Sequence, residues 1–267
     1  MSGFSADWLS LREPVDKRSR NRAILAAIEG YFQTRDSITA IDLASGRGSL
    51  IRALTDRLPA RQHWYAVDNE AVLLQDTKLA TGETIRIEPR LIDLADALEK
   101  VIALEADLVA TSAFIDLVSD RWLDRLVGGL VAKSVPAYFA MSYDGRVTCE
   151  PHHPLDDAVI AAFGHHQLRD KGFGPALGPG AGEAAAAKFT AAGYVVHREH
   201  ADWHVTPDEA ALQTMMVDGW FAAVQETMEI DSDRLREWHE QRLRWIADGV
   251  AKMTVGHLDI WARPRPA

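Results

Sequence analysis

The feature that most constrains this chain is a glycine-containing turn between an apolar strand and a helix. Residues 38–43 have the pattern of a buried strand, and Gly46 and Gly48 follow it. Glycine lets a backbone approach a ligand closely and adopt dihedral angles that other residues avoid. The helix beginning at Ser49 offers partial positive charge at its N-terminus, which suits a carboxylate or a phosphate. The turn alone is weak evidence, because a plain strand-to-helix connection can look the same.

Strands and helices alternate around that turn. Five strands are predicted over residues 38–43, 64–67, 84–92, 107–111 and 136–142, with helices over 49–58, 71–80, 94–104 and 120–131. Apolar residues at helical spacing predict an N-terminal helical segment over residues 1–37. This order is typical of an α/β fold with a parallel sheet covered by helices on both faces.

The second half of the chain departs from this alternation. Residues 149–182 are rich in histidine, glycine and proline. Beyond them the sequence predicts a helix over 183–192, a sixth strand over 194–205, amphipathic helices over 207–229 and 232–252, and a seventh strand over 253–263. A late strand pair in an otherwise parallel sheet favours an antiparallel edge hairpin. We therefore expect a seven-stranded, mostly parallel sheet with an antiparallel last strand and a helical insertion between strands 6 and 7.

Composition and charge narrow the class of function. The chain has 267 residues, which fits one domain with a substantial insertion. Its net charge of −10 repels phosphate backbones and argues against a nucleic-acid partner. The single cysteine, Cys149, excludes an intrachain disulfide and favours a reducing compartment, so a cytoplasmic location is expected. No apolar run approaches the roughly 20 residues that a membrane span needs.

Acidic residues stand at the ends of three successive predicted strands. Asp42 ends the first strand, just before the glycine turn. Asp68 ends the second strand and can accept both hydroxyls of a ribose, although a solvated aspartate would look the same. Asp93 can accept from an adenine amino group, cap the helix that begins at Leu94, or do both.

Taken in order, these residues resemble the class I S-adenosylmethionine-dependent methyltransferase family over about residues 36–145. The family's glycines match Gly46 and Gly48, and its acidic positions match the three aspartates. Its fourth-strand motif falls on residues 110–116, and the seven-strand order extends the resemblance to the C-terminus. Ala44 stands where the family motif often has a further glycine, which is a mild change.

The resemblance implies a Rossmann-like fold and S-adenosyl-L-methionine as the cofactor. It implies cofactor contacts from Asp42, Ala44, Ser45, Gly46, Gly48, Asp68, Asn69, Asp93, Leu94, Ser112 and Phe114. Arg20 is the candidate to pair with the cofactor carboxylate, because it lies shortly before the apolar helix that leads into the first strand. Residues 38–267 are then the methyltransferase domain, with substrate-covering insertions at 149–182 and 207–252.

Two other classes of protein compete with this interpretation. A nicotinamide-dependent oxidoreductase needs a third glycine for close packing of helix and strand, and that position is Ile51. Asp42 would also face the pyrophosphate of a dinucleotide. The other alternative is a protein that binds S-adenosylmethionine without catalysis, and the sequence leaves that alternative open.

The fourth-strand segment limits the methyl acceptor. Residues 112–115 contain no proline, unlike the corresponding motif of enzymes that methylate base amino groups, and Cys149 is far downstream of where a cytosine-C5 nucleophile would lie. A small molecule methylated on O or N by direct in-line displacement is therefore expected, with the oligomeric state left open. Asp116 and Asp144 would supply two ligands to a metal, but no third is evident, so no metal is predicted.

Histidines and a glycine-rich loop follow the fifth strand. A neutral imidazole is a suitable general base near pH 7, which makes His152 and His153 the candidates for removing a proton from the acceptor. Local packing of solvent-facing histidines is the alternative. Residues 171–180 form a loop dense in glycine and proline, interpreted as a flap over the substrate or as a linker.

Overall fold

The sheet of this protein holds eight strands in a computed structural model that describes residues 5–77 and 84–266. The strands are β1 (Ser37–Leu43), β2 (Arg61–Asp68), β3 (Ile85–Leu91), β4 (Leu108–Ser112), β5 (Ala137–Glu150), β6 (Val195–His200), β7 (Trp203–Val205) and β8 (Lys252–Arg263). Their order is β3-β2-β1-β4-β5-β8-β6, and β7 also pairs with β8. The first five strands are parallel, and β8 runs antiparallel to its neighbours. The predicted mostly parallel sheet with an antiparallel last strand is confirmed.

Ten α-helices accompany the sheet in the described ranges. They are α1 (Ala6–Ser19), α2 (Arg22–Phe32), α3 (Ser49–Leu54), α4 (Ala71–Asp76), α5 (Leu94–Ile102), α6 (Asp120–Ala132), α7 (Asp156–Gln167), α8 (Ala181–Ala191), α9 (Ala210–Thr227) and α10 (Ser232–Ala247). The prediction of a helix over residues 71–80 includes residues 78–80, which lie outside the described residues. The predicted helical insertion before the last strand corresponds to α9 and α10.

The predicted sixth strand is divided in two. Residues between β6 and β7 leave the ladder, and there the backbone of Ala201 donates to the carbonyl of His257. The Asp202 carboxylate accepts a hydrogen bond from the backbone of His257 at 3.1 Å. A side chain that hydrogen-bonds to the neighbouring backbone competes with regular strand pairing, which interrupts the strand here. The predicted sixth strand therefore corresponds to β6 and β7, and the predicted seventh strand is β8.

β5 is twice as long as predicted. It passes through register shifts beside Ser142 and Val147 and then continues to Glu150, paired with β8 throughout its outer half. Met141 has a left-handed backbone (φ 54°) at the first irregularity. With about 3.3 Å per residue, the outer half carries the chain roughly 25 Å beyond Ser142. The segment over 149–182 therefore begins far from the ends of the other parallel strands.

The core has two parts, one on each face of the sheet. One contains α5, α6 and α8, around residues such as Phe139 and Phe189. The other contains α1 to α3 and continues without interruption into α7, α9 and α10, where Trp220 and Trp238 are buried. The insertion helices thus share one hydrophobic cluster with the sheet. Within the described residues, no helix is long and apolar enough to cross a membrane.

Candidate functional site

The turn after β1 is built from left-handed residues. Ala44, Gly46 and Gly48 have φ values of 51°, 52° and 78°. The backbone N–H of Ser45 donates to Val67 at 2.9 Å, which ties the turn to β2. A left-handed conformation costs a non-glycine residue about 1–2 kcal/mol. Alanine at position 44 is therefore less mild than the sequence suggests, because the backbone there is of the kind that favours glycine.

Helix α1 lies across this turn and forms a cleft with it. The cleft is lined by Leu9, Arg12, Glu13, Asp16, Asp42, Ala44, Ser45, Gly46, Arg47, Ser49, Leu50 and Ser112. The space in it totals about 430 Å³, including the part open to solvent. Arg52 of α3 holds the helix in place through two hydrogen bonds of 2.7 Å to the Glu13 carboxylate. The sequence-predicted turn and the N-terminal segment are thereby brought together.

Asp42 is a buried carboxylate at the floor of the cleft. Its side-chain oxygen accepts a hydrogen bond of 2.7 Å from the Ser45 hydroxyl. Burial raises the pKa of Asp42 to about 7, although the Ser45 hydrogen bond and the charge of Arg20 act in the opposite direction. A carboxylate with this pKa gains most from a cationic partner, because such a partner restores its charged form.

Arg20 follows α1, and its guanidinium is buried. Its Nη2 donates to the Ser112 hydroxyl at 3.2 Å, whereas Nε and Nη1 are buried without a hydrogen-bond partner. A buried charged donor without a partner is costly, and two donors of one guanidinium match the two oxygens of a carboxylate. Arg20 is not among the residues that line the cleft, but it donates to Ser112, which does line it, and its charge acts on Asp42. Two opposite charges near the same cleft match the carboxylate and ammonium of an amino acid.

Asp68 connects the second strand to the glycine turn. One carboxylate oxygen accepts from the backbone of Gly46 at 2.8 Å, and the other accepts from the backbone of Glu70 at 2.9 Å. An ionised carboxylate has about four acceptor sites, so these two bonds leave capacity for a ligand hydroxyl. Asn69 is exposed next to it. A ribose contact by Asp68 remains a prediction, and its support of the turn is an additional role that the sequence did not indicate.

Of the residues predicted to lie near an adenine ring, Asp93 is exposed and Phe114 is buried. Asp93 is exposed and caps α5, because its side chain accepts from the backbone two residues later at 2.9 Å. The carbonyl of Leu94 accepts from the Trp122 indole at 2.8 Å. The ring of Phe114 packs edge-on against Trp122 and Phe173, at centroid distances of 5.5 and 5.4 Å. Phe114 thus belongs to the core below α6, and the cap alternative for Asp93 is confirmed.

The structure does not bring His152 and His153 to the cleft. They lie beyond the far end of β5, where the backbone of His153 donates to Asp156 at 2.7 Å and the ring of His152 lies 3.5 Å from the same carboxylate. The ring of His153 packs against Trp245 at 6.1 Å, and burial lowers its pKa. They lie away from the cleft because β5 continues to Glu150 and carries the chain past the ends of the other parallel strands. The placement gives no support to the predicted general base.

Three potential metal ligands meet on the surface near that strand. One ligand atom from each of Asp144, His200 and Asp202 lies within 4.8 Å of the others. Arg146 already donates from Nη2 to Asp144 at 2.5 Å and to Asp202 at 2.7 Å, and its Nη2 lies 2.8 Å from the Nδ1 of His200. A guanidinium therefore supplies the positive charge that these carboxylates need.

The loop over residues 171–180 is packed down. Phe173 contacts the aromatic rings below α6, and the backbone of Leu177 donates to Val118 at 2.8 Å. The backbones of Gly172 and Gly174 both donate to the Asp170 carboxylate. These contacts favour a fixed connection over a mobile flap.

Several buried polar residues around the candidate site were not predicted from the sequence. Asp259 of β8 accepts from the Tyr138 hydroxyl at 2.9 Å and from the backbones of Met141 and Asn21 at 2.8 and 3.0 Å. Asp16 accepts from the indole of Trp203 at 3.0 Å. The signal that was available is an aspartate within the apolar strand Leu258–Ala262, since a buried acid needs several donors to compensate for its desolvation.

Comparison with known proteins finds similarity in structure and not in sequence. No family model matches the chain, and no curated protein matches it. A cyclopropane-fatty-acyl-phospholipid synthase-like protein from Lactobacillus casei superimposes with a TM-score of 0.53, 13% identity, and coverage of 96% of this chain and 94% of the other. The chain therefore has the fold of the class I S-adenosylmethionine-dependent methyltransferases.

Two further solved structures are similar at lower scores. A mycolic acid cyclopropane synthase in complex with S-adenosylhomocysteine has a TM-score of 0.48 and 10% identity, over 90% of this chain and 83% of its own. An N-methyltransferase from Haemonchus contortus, in complex with phosphomonomethylethanolamine and S-adenosylhomocysteine, has a TM-score of 0.46 and 14% identity, over 99% of this chain and 59% of its own.

Proposed function

We propose that this protein binds S-adenosylmethionine in the cleft under α1 and transfers its methyl group to an oxygen or nitrogen of a small molecule. The observation that carries the proposal is the buried guanidinium of Arg20 with two unpartnered donors. The methionine end of the cofactor has a carboxylate for that group and an ammonium for Asp42. A fold known for binding this cofactor adds to the support.

The rest of the cofactor is assigned along the same edge of the sheet. We propose that the ribose hydroxyls donate to Asp68 and that the adenine lies near Asp93 and Leu94. The backbone of the turn at Ala44, Ser45, Gly46 and Gly48 would contact the part of the cofactor between its methionine and its adenine. Asn69, Ser112 and Phe114 would supply the remaining predicted contacts. Of these contacts, that of Phe114 has the least support, because its ring is buried in the core.

The chemistry requires little from the side chains. The cofactor supplies an electrophilic methyl group, so most of the rate enhancement comes from holding the acceptor atom in line with it. The oxidoreductase alternative is disfavoured, because Ile51 is fully buried in α3 where a dinucleotide site needs glycine.

Titration calorimetry with S-adenosylmethionine and S-adenosylhomocysteine tests the cofactor assignment. We expect one molecule of either compound to bind per chain. Asp68→Ala should weaken binding by roughly tenfold or more, as expected for the loss of hydrogen bonds to a charged group. Asp218→Asn is the matched control, since that carboxylate lies on the surface of α9 beside His239. Failure of the unmodified protein to bind either compound would refute both the enzyme and the non-catalytic binder.

A further inference from the structure

Asp259 of β8 is a fully buried carboxylate that joins the link between α1 and α2 to β5. Its Oδ2 accepts from the backbone N–H of Asn21 at 3.0 Å and from the Tyr138 hydroxyl at 2.9 Å, and its Oδ1 accepts from the backbone N–H of Met141 at 2.8 Å. An apolar residue would cost less to bury in this apolar strand. The position therefore points to a task that needs the carboxylate.

The first of these bonds fixes the backbone beside Arg20. Arg20 and Asn21 form the link between α1 and α2. The backbone N–H of Arg20 donates to the carbonyl of Asp16 at 3.2 Å, and the next N–H along the chain, that of Asn21, donates to Asp259. The Asn21 side chain in turn accepts from two backbone N–H groups at the start of α2. The backbone that carries the Arg20 side chain is therefore held between two helices and β8.

The bond to Met141 acts on the other end of the Arg20 side chain. The Arg20 Nη2 donates to the hydroxyl of Ser112 at 3.2 Å. Ser112 ends β4 and pairs with Ala140 of β5, and the residue after Ala140 is Met141, which donates its N–H to Asp259. Met141 has a left-handed backbone (φ 54°), a conformation that L-residues avoid and that needs such support. The same carboxylate therefore fixes the strand beside the hydroxyl that receives the guanidinium.

The charges of the two side chains also support each other. Burial raises the pKa of Asp259, and the charge of Arg20 acts in the opposite direction. Burial would lower the pKa of the Arg20 guanidinium, but nearby acidic groups, those of Asp16 and Asp259 among them, raise it. Each group thus favours the charged form of the other. The charged form of Arg20 is the one that binds a carboxylate.

We propose that Asp259 is a positioning residue, which orients the Arg20 guanidinium toward the carboxylate of the cofactor's methionine. This inference rests on the proposed function and adds to it the residue that sets how the methionine end is recognised. Nε and Nη1 of Arg20 lack a partner in the described residues and are the donors to be oriented. Asp259 itself does not touch the cofactor. Its loss should therefore reduce the affinity for the carboxylate and leave the contacts to the ribose and adenine unchanged.

Two ligands that differ only in that carboxylate test the proposal. S-adenosylhomocysteine has it, and the decarboxylated analogue S-adenosyl-3-thiopropylamine keeps the adenosine, the sulfur and the ammonium. Titration calorimetry of Asp259→Asn should show an affinity for S-adenosylhomocysteine that is roughly tenfold lower, as expected when hydrogen bonds to a charged group are misdirected. The affinity for the analogue should change by less than about twofold. A purely structural defect would weaken the binding of both ligands alike.

Asp107→Asn is the matched control for this substitution. Asp107 also accepts from a backbone N–H, that of Thr39 at 2.9 Å, and from an arginine, Arg35. It directly precedes β4, whereas Ser112 lies at the other end of that strand and lines the cleft. Asp107→Asn should therefore bind both ligands as the unmodified protein does.

A second pair of variants removes one bond without changing Asp259. Asn21 has a φ of −67° and follows an extended residue, which is the backbone that a proline accepts. Asn21→Pro lacks the N–H that donates to Asp259, whereas Asn21→Ala keeps it, and both variants lack the capping side chain. Asn21→Pro should bind S-adenosylhomocysteine roughly fivefold more weakly than Asn21→Ala does. The two variants should bind the decarboxylated analogue alike.

Three outcomes would overturn the inference. They are an Asp259→Asn variant with unchanged affinity for S-adenosylhomocysteine, a decrease of equal size for both ligands, and equal affinity of the unmodified protein for both. If Asp259→Asn does not fold, equal affinities of the two Asn21 variants for S-adenosylhomocysteine would overturn it. Each of these results leaves the rest of the proposed cofactor site standing. Failure of the unmodified protein to bind S-adenosylhomocysteine would instead refute the proposed function, and the role of Asp259 with it.

Discussion

Two buried pairs of aspartate and arginine in this molecule differ in how completely they are satisfied. In the insertion, Asp156 accepts from two nitrogens of Arg242, from the Trp238 indole and from a backbone N–H. Under α1, Asp42 accepts from one hydroxyl, and Arg20 keeps two donors free. The first pair is complete within the protein. The second is incomplete within the described residues, and we propose that a zwitterionic ligand completes it.

The first prediction removes one member of the complete pair. Asp156→Ala leaves Arg242 as an uncompensated charge with a fully buried side chain, so the free energy of unfolding should decrease by about 3–5 kcal/mol. Urea unfolding measures it, and Asp218→Asn should change it by less than about 0.5 kcal/mol. A loss below about 1 kcal/mol for Asp156→Ala would mean that the pair is not a structural anchor.

The second prediction removes the free donors. Arg20→Met should weaken binding of S-adenosylhomocysteine by roughly 100-fold, or about 3 kcal/mol, because two charge-assisted hydrogen bonds are lost. Calorimetry measures this affinity. Arg20→Lys should have an affinity between those of the unmodified protein and Arg20→Met, since lysine keeps the charge but cannot donate two parallel hydrogen bonds to a carboxylate. Arg22→Met, at an exposed position of α2, should bind as the unmodified protein does. Equal affinity for Arg20→Met would refute the carboxylate contact.

The third prediction uses the pKa of Asp42, which burial raises to about 7. Only the ionised carboxylate pairs with the ligand ammonium, so affinity should increase by up to about tenfold per pH unit from pH 5.5 to 7 and then level off. Asp42→Asn should remove this dependence. Without ligand the sign is reversed: a raised pKa in the folded state means that stability decreases as pH rises toward 7. Calorimetry in buffers of different ionisation enthalpy should detect the proton released on binding below pH 7.

The smallest effect concerns the backbone of the turn. Ala44→Gly removes the strain of a left-handed alanine, which should raise the free energy of unfolding by about 1–2 kcal/mol. It also gives the unfolded chain more conformational freedom, which should lower the free energy of unfolding by about 0.4–1 kcal/mol. A net increase in stability of up to about 1 kcal/mol is expected from urea unfolding. Ala187→Gly, at an exposed site in α8, should have the opposite sign and lose about 0.5–1 kcal/mol. A destabilised Ala44→Gly would show that the methyl group of Ala44 is needed in the cleft.

The sequence predicted those parts of the fold and site that depend on local pattern. Alternating strands and helices, together with glycines at the end of β1, define the parallel sheet and place Asp42 and Asp68 at one edge. Arg20 was predicted from its position in the chain, and its contact with the cofactor stays a prediction. Asp16 and Asp259 were missed, since their partners lie far away in sequence and depend on packing. His152 and His153 were predicted to be the base because they follow the fifth strand in sequence. The length of that strand depends on pairing of its outer half with β8, which local pattern does not reveal.

The hydrogen bond between Asn21 and Asp259 joins residues 238 positions apart, close to the guanidinium of Arg20. Asp259 also holds the bend at Met141 beside the ends of the parallel strands. A chain still being synthesised can form its first domain-like contacts before β8 leaves the ribosome. The charge of the buried Arg20, however, is partly compensated by Asp259, which lies on β8. A chain truncated before β8 should therefore lose the Asp259 carboxylate that fixes Asn21 and the bend at Met141, and we expect it not to bind S-adenosylmethionine.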